Sequence, residues 1–187
     1  MSAANRLIID DANFFKEAVA DRGLTVGELE GLEPRLENLR ARLRQGRDRG
    51  DPAFFGLPFQ AEHLEEARRW GERITTGYEQ LVVLGMGGSS LGGEMLIHCL
   101  GGSEPPVEVR FLDNVDPERM EATLAGVHWS RACVLAVSKS GGTAETLAQL
   151  LTILPHMERA IGGRAVPDHL LAITEDESGA LAEVARS

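Results

Sequence analysis

The hydrophobic pattern of the chain changes near residue 80. Before that point, apolar residues recur at three- and four-residue intervals: Phe14, Phe15, Ala18 and Val19, then Leu36, Leu39 and Leu43, then Leu64, Ala67, Gly71, Ile74 and Tyr78. This period matches the turn of a helix and predicts a helical segment over residues 1–80. Gly46 through Pro58 interrupts it, with Gly50-Asp51-Pro52 and Gly56-Leu57-Pro58 as breakers. After residue 80 the apolar residues gather into short unbroken runs, Leu81–Met86, Val107–Leu112, Ala132–Val137 and Leu170–Ile173. Each run gives way to turn residues and then to a helix-like stretch, beginning near Leu91, Pro117, Thr143 and Ser178. Unbroken apolar runs alternating with helices are the pattern of parallel strands covered on both faces. The expected fold is α/β, a parallel sheet with helices on both faces, preceded by the helical segment. The expected domains are residues 1–80 and 81–187. One more strand or covering element is expected after the short fourth helix, so the sheet domain reads as truncated at its C-terminus.

Composition narrows the function classes. The 187 residues are 43% hydrophobic, enough for a packed core. No apolar run reaches the length of a membrane span, and Met1–Arg6 does not open a signal peptide, so the expected location is cytoplasmic with no membrane partner. Cys99 and Cys133 fall in a predicted helix and a predicted strand and read as reduced, buried thiols. The formal net charge is −10, with 12 basic residues against 15 acidic ones over residues 1–80 and 7 against 14 over residues 81–187. Such a balance argues against nucleic acid as a partner, and the arginines from Arg40 to Arg49 read as a solvated helix face and its exit loop.

The candidate chemistry sits where strands end, which is where parallel sheets bind ligands. The third strand runs into Ser138-Lys139-Ser140-Gly141-Gly142-Thr143, and a helix follows. Glycines let a backbone curl so that its N–H groups face one anion, and the helix adds the positive end of its dipole. Ser138, Ser140 and Thr143 add hydroxyls, and Lys139 is one of only two lysines in the chain. Because this half of the chain is the more acidic, the anion must be held by directed local groups and not by bulk positive charge. The first strand ends in Gly85-Met86-Gly87-Gly88-Ser89-Ser90. Read as a dinucleotide fingerprint, the third glycine position falls on Ser90, and the phosphate-binding pattern with a glycine-lysine-hydroxyl ending is absent. The two turns together suit a phosphosugar better, one lying against the sugar and the other gripping its phosphate. No cofactor and no metal enter this reading.

Three motifs in order, Gly85-x-Gly-Gly-Ser89, Asp113-Asn114-x-Asp116-Pro117 and Ser138-Lys-Ser-Gly-Gly-Thr143-x-Glu145-Thr146, resemble the glucose-6-phosphate isomerase family. The likeness is to its N-terminal sugar-isomerase (SIS) domain, a flavodoxin-like doubly wound fold, and runs from about residue 57 to 187. The resemblance implies that Ser89, Ser138, Lys139, Ser140 and Thr143 contact a 6-phosphate, Lys139 through its N–H as well as its charge. It implies that Gly87, Gly88 and Glu145 shape the sugar site. Gly142 stands where many relatives carry threonine and removes one hydroxyl from the cradle. The implied activity is the aldose–ketose isomerisation of glucose 6-phosphate and fructose 6-phosphate in glycolysis and gluconeogenesis, by a homodimer.

That reaction needs a carboxylate to move a proton between two carbons and a cation to steady the enediolate. In the family these groups lie in later motifs that do not occur here, so no catalytic residue is assigned. His63, His98, His128, His156 and His169 read as structural or surface residues, Asp113 and Asn114 as turn formers, and Glu145 as a group that orients Lys139 or a water. Arg164 follows two glycines and reads as structural. The expectation is a chain that holds the phosphosugar without isomerising it alone. The alternatives are a non-catalytic SIS module that regulates a partner and an isomerase of another phosphosugar.

Overall fold

The computed structural model describes residues 10–102, 105–175 and 178–186; the expectations drawn from Met1–Arg6 lie outside them. The chain forms two compact units, residues 1–64 and residues 65–187. No helix among the described residues is long and apolar enough to cross a membrane.

The first unit carries helices α1 (Lys16–Val19), α2 (Val26–Gly31) and α3 (Glu33–Asp48), short 3-10 turns, and the start of α4 (Ala61–Gly77). The apolar cluster from Phe14 to Val19 does not make one helix. Ala20 turns to a φ of 54°, and Phe15 and Leu24 form an isolated parallel bridge. Gly23 lies against the Phe15 backbone so closely that a Cβ there would come within 2.5 Å of it. A capping box starts α2: Thr25 Oγ1 accepts from the Glu28 N–H at 3.2 Å and the Glu28 carboxylate accepts from the Thr25 N–H at 2.8 Å. Helix α3 runs through Gly46, past the expected break, and closes where the Asp51 N–H donates to the Gly46 carbonyl at 2.8 Å. None of residues 10–64 whose exposure is described is buried, and Leu36, Leu39 and Leu43 are half-exposed. The period makes helices here but no core. At the end of α4 the same holds in part: Tyr78 lies beyond the helix and donates its hydroxyl to the Asp168 carbonyl.

The second unit is built on four parallel strands, β1 (Gln80–Leu84), β2 (Glu108–Leu112), β3 (Ala132–Val137) and β4 (Leu170–Ile173), in the order β2-β1-β3-β4. Helices α5 (Leu91–Leu100), α6 (Pro117–Leu124), α7 (Ala144–Ile161), α8 (Val166–His169) and α9 (Ala180–Arg186) follow the strands. Register pairs Val82 with Val134 and Leu84 with both Leu112 and Ala136, so these side chains share one face of the sheet. They pack with Leu150, Ile153 and Met157 of α7 and with Met120 and Leu124 of α6. On the opposite face, Phe111 lies against Gly93 of α5, where a Cβ would come within 3.6 Å of its ring. The expected parallel sheet with helices on both sides is therefore present. β1 stops at Leu84, two residues earlier than the apolar run, because Gly85 and Met86 already belong to the turn.

Cys133 is buried in β3 as expected, but Cys99 is exposed, which corrects its reading as a core thiol. It sits on α5, a helix that leaves Leu91, Met95, Leu96 and Leu100 largely open.

Removing side chain from the packed face should be costly. Ile153→Ala is expected to lower unfolding stability by about 2–5 kcal/mol in a urea titration, against a change within about 0.5 kcal/mol for Leu100→Ala on the open helix. Burial pushes the Cys133 thiol from 9.0 up to about 11. The folded state holds that proton more tightly than the unfolded one, so its contribution to stability is complete below pH 9 and is lost as the pH rises from 9 towards 11. A thiol reagent at pH 8 should therefore label Cys99 at once and Cys133 only on unfolding. Equal labelling of both in the folded protein would contradict the burial.

Candidate functional site

The strand order puts β1 between β2 and β3, so the connection after β1 leaves toward one edge of the sheet and the connection after β3 toward the other. A crevice opens at such a reversal, outside the C-terminal ends of the two central strands. Leu84 and Ala136 are register partners, and the two glycine-rich turns therefore begin almost level with each other.

The turn after β1 is compact. The Gly85 N–H donates to the Leu112 carbonyl at 3.3 Å, extending the pairing with β2 by one residue. A Cβ at Gly85 would lie 3.1 Å from the Ser89 Cβ and carbonyl oxygen, so the turn closes this tightly only around glycine. Gly87 takes a φ of 55°, and the Ser89 and Ser90 N–H groups donate to the Met86 and Gly87 carbonyls, both at 3.1 Å. Ser90 is fully buried and its carbonyl starts α5, while Ser89 is half-buried. Gly87 and Gly88 are exposed on the turn's crest.

The turn after β3 is held from behind. Ser138 is buried; its N–H donates to the Ile173 carbonyl at 3.0 Å and its Oγ lies 2.8 Å from Thr143 Oγ1. Gly141 adopts a φ of 63°, and Ser140 Oγ accepts from the Gly142 N–H at 3.3 Å. The Lys139 and Gly141 carbonyls accept from the Glu175 N–H at 3.1 Å and the Leu181 N–H at 2.9 Å. Those two bonds draw carbonyl oxygens, which would repel an anion, toward Glu175 after β4 and Leu181 in α9. Thr143 precedes α7 as its N-cap residue, but its side chain makes no capping bond and is engaged with Ser138. Thr143 thus does not cap the N–H groups of the first turn of α7, which suits an outside anion.

Ser89, Lys139, Ser140, Thr143 and Glu175 line one open cleft of about 600 Å³. Four of the five expected phosphate contacts converge there, and Ser138 lies beneath, braced against Thr143. Glu145 is exposed in the first turn of α7 and is not among the lining residues. The carboxylate beside Lys139 is instead that of Glu175, with Oε2 3.8 Å from Lys139 Nζ. Glu175 was not picked out by sequence reasoning, although it follows the C-terminal end of a strand like the other candidates.

The remaining candidates sit elsewhere. Asn114 Oδ1 accepts from the Asp116 N–H at 2.8 Å, and Asp116 caps α6 through the Arg119 N–H at 3.0 Å, so this segment forms a turn as expected. The buried Gln149 of α7 secures it, donating Nε2 to the Leu112 carbonyl at 3.0 Å and the Asn114 carbonyl at 3.1 Å. Gln149 is a second residue the sequence did not mark; its signal was a polar side chain within the apolar stripe of Leu150, Ile153 and Met157. Arg164 follows the far end of the 18-residue α7, roughly 27 Å along the helix from the cleft. His98 faces Glu94 at 3.8 Å, His156 stacks on Trp129, and His169 Nδ1 lies 2.8 Å from the Ala132 carbonyl, so these three have structural settings.

Residues 61–182 match the phosphoglucose isomerase family. A glucose-6-phosphate isomerase from Carboxydothermus hydrogenoformans is 30% identical over 194 residues, covering 96% of this chain and 41% of the relative. One from Thermus thermophilus is 36% identical over 152 residues, covering 79% of this chain and 35% of the relative. The chain thus spans well under half the length of these curated relatives. Among solved structures, a hypothetical protein from Thermus thermophilus superposes with a TM-score of 0.73 at 35% identity, covering 84% of this chain and 38% of that one. A glucose-6-phosphate isomerase from Chlamydia trachomatis gives a TM-score of 0.54 at 28% identity over 63% of this chain and 23% of its own.

If Gln149 secures the end of β2 beside the cleft, Gln149→Leu removes both of its bonds and takes this donor from the Asn114 carbonyl, while the Leu112 carbonyl keeps the Gly85 N–H. The substitution should lower unfolding stability by about 1–3 kcal/mol in urea; an unchanged midpoint would remove Gln149 from that role.

Proposed function

The chain belongs to the phosphoglucose isomerase family, and from that premise we propose that its cleft is the phosphate-holding part of a site that interconverts glucose 6-phosphate and fructose 6-phosphate. In this reading Ser89, Ser140 and Thr143 donate hydroxyls to the 6-phosphate, Lys139 contributes its N–H and its charge, and Ser138 holds Thr143 in place by donating to its Oγ1, which leaves the Thr143 proton for the phosphate. Gly87 and Gly88 let the sugar approach the backbone, and Glu145, outside the lining of the phosphate cleft, borders the sugar beyond it. The observation that carries the proposal is the convergence of Ser89, from one turn, with Lys139, Ser140 and Thr143, from another, on a single cleft. Neither turn alone distinguishes a phosphosugar from any other anion.

The chemistry that this cleft supports is binding. Isomerisation requires ring opening and then proton transfer between C1 and C2, with a base near those carbons and a cation near the enediolate oxygen. The lining groups are three hydroxyls and the Lys139–Glu175 pair, all at the phosphate end. The proton-transfer groups are not among the lining residues of this cleft, and the enzyme proposed is a cytoplasmic homodimer that needs no cofactor for this chemistry. A regulatory SIS module would use the same cleft to bind without turnover.

Calorimetry with glucose 6-phosphate should show saturable binding by the chain. The Ser140→Ala/Thr143→Ala double variant should weaken it by at least about tenfold, since each lost bond is made to a charged group, with an unchanged circular dichroism spectrum. Undiminished binding would sink the assignment of the cradle. A coupled assay should detect no fructose 6-phosphate formed by residues 1–187, and robust turnover would show that a catalytic base lies within them.

A further inference from the structure

We propose that Glu175 is a specificity-determining residue of the cleft, selecting phosphate esters that carry hydroxyl groups over bare anions. The proposal rests on the reading of the cleft as a phosphosugar site and asks what a carboxylate is doing inside an anion cradle.

Glu175 is placed by the backbone. Its N–H donates to the Lys139 carbonyl at 3.1 Å, and Thr174 Oγ1 reaches the same carbonyl at 3.4 Å. The residue after β4 is thereby pinned to the loop after β3, and the Glu175 side chain joins the cleft wall with Ser89, Lys139, Ser140 and Thr143. Its carboxylate lies 3.8 Å from Lys139 Nζ, with the two side chains 75% and 81% exposed. An ion pair so open to water contributes little to stability, so Lys139 can turn from Glu175 to an incoming anion at small cost.

Charge and hydrogen-bonding capacity then separate two kinds of ligand. Three lining hydroxyls and the ammonium can donate, whereas an ionised carboxylate only accepts. A bare dianion that takes Lys139 leaves the Glu175 carboxylate beside like charge, with only water to donate to it. At solvent-exposed separations and physiological salt, that repulsion amounts to roughly a threefold loss of affinity. A sugar phosphate brings the same charge but also carries hydroxyls along its ring, the nearest to the phosphoryl group on C4 in glucose 6-phosphate. One of them can donate to the carboxylate in a charge-assisted bond, which offsets the repulsion. The cleft is thus matched to a molecule that is anionic at one end and rich in O–H donors along the rest.

Sulfate is the matching probe, a tetrahedral dianion with no proton to donate. NMR titrations of the 187-residue chain with sulfate and with glucose 6-phosphate, at pH 8 and constant ionic strength, compare wild type with Glu175→Gln. Sulfate affinity should rise about threefold in the variant while glucose 6-phosphate affinity stays level or falls. The preference for the sugar phosphate over sulfate would then shrink by about threefold or more. An unchanged preference, or an equal gain for both ligands, would overturn the proposal while leaving the cradle assignment standing. Failure of wild type to bind either ligand would instead overturn the reading of the cleft, and the role of Glu175 with it.

Discussion

The site depends on the parallel pairing of β1 with β3, in which Leu84 and Ala136 are partners at the C-terminal end. Consecutive strands of a parallel sheet are joined by right-handed crossovers. When β2 is laid on one side of β1 and β3 on the other, the two connections must diverge. The divergence makes a crevice that no side chain of the core needs to fill. Its walls are the two turns, and their glycines allow the closeness: Gly85 against Ser89, and Gly141 in a left-handed conformation. The fold sets the position of the cleft, and the turns give it chemistry.

The chemistry is achieved against the electrostatic trend of the chain. With a net charge of −10, an anion gains nothing from the overall field. What favours it is arrangement: carbonyls of the loop engaged by the N–H groups of Glu175 and Leu181, a Thr143 side chain diverted from capping, and the start of an 18-residue helix. Beneath these groups lie Ser90, Ser138, Thr146 and Gln149, all buried. Polar residues at that depth are costly unless they are bonded; Ser138 bonds Thr143 within the second turn and Gln149 bonds carbonyls at the end of β2, whereas Thr146 Oγ1 and Gln149 Oε1 have no partner among the described residues. The apolar residues of the sheet and α7 pack together as the core.

Much of this architecture could be read in the sequence because parallel strands covered on both faces leave unbroken apolar runs. Ala132–Val137 and Leu170–Ile173 match their runs residue for residue. The helical period before residue 80 was less informative. It shows which residues can lie on one side of a helix, but not whether anything covers that side, and Leu36, Leu39 and Leu43 remain half-exposed. Nor could it show that Ala20 and Gly23 fold the Phe14–Val19 cluster back on itself. At the cleft, residue types identified the donors, since serine, threonine and lysine beside glycine have an evident use. Glu175 escaped because an acid near an anion site looks like ordinary surface. Applying the strand-end rule to the fourth strand as well as the first three would have pointed to it. Gln149 escaped because its role is to bond carbonyls of a distant segment, which only the folded chain brings near.

The account stands on the two turns acting as one phosphosugar site. The most direct measurement is a backbone amide NMR titration of the chain with glucose 6-phosphate. The amides of Gly87–Ser90 and of Ser138–Glu145 should shift together, with one common midpoint, because a single ligand occupies both turns. Shifts confined to one turn, or none at either while the chain remains folded, would contradict the account.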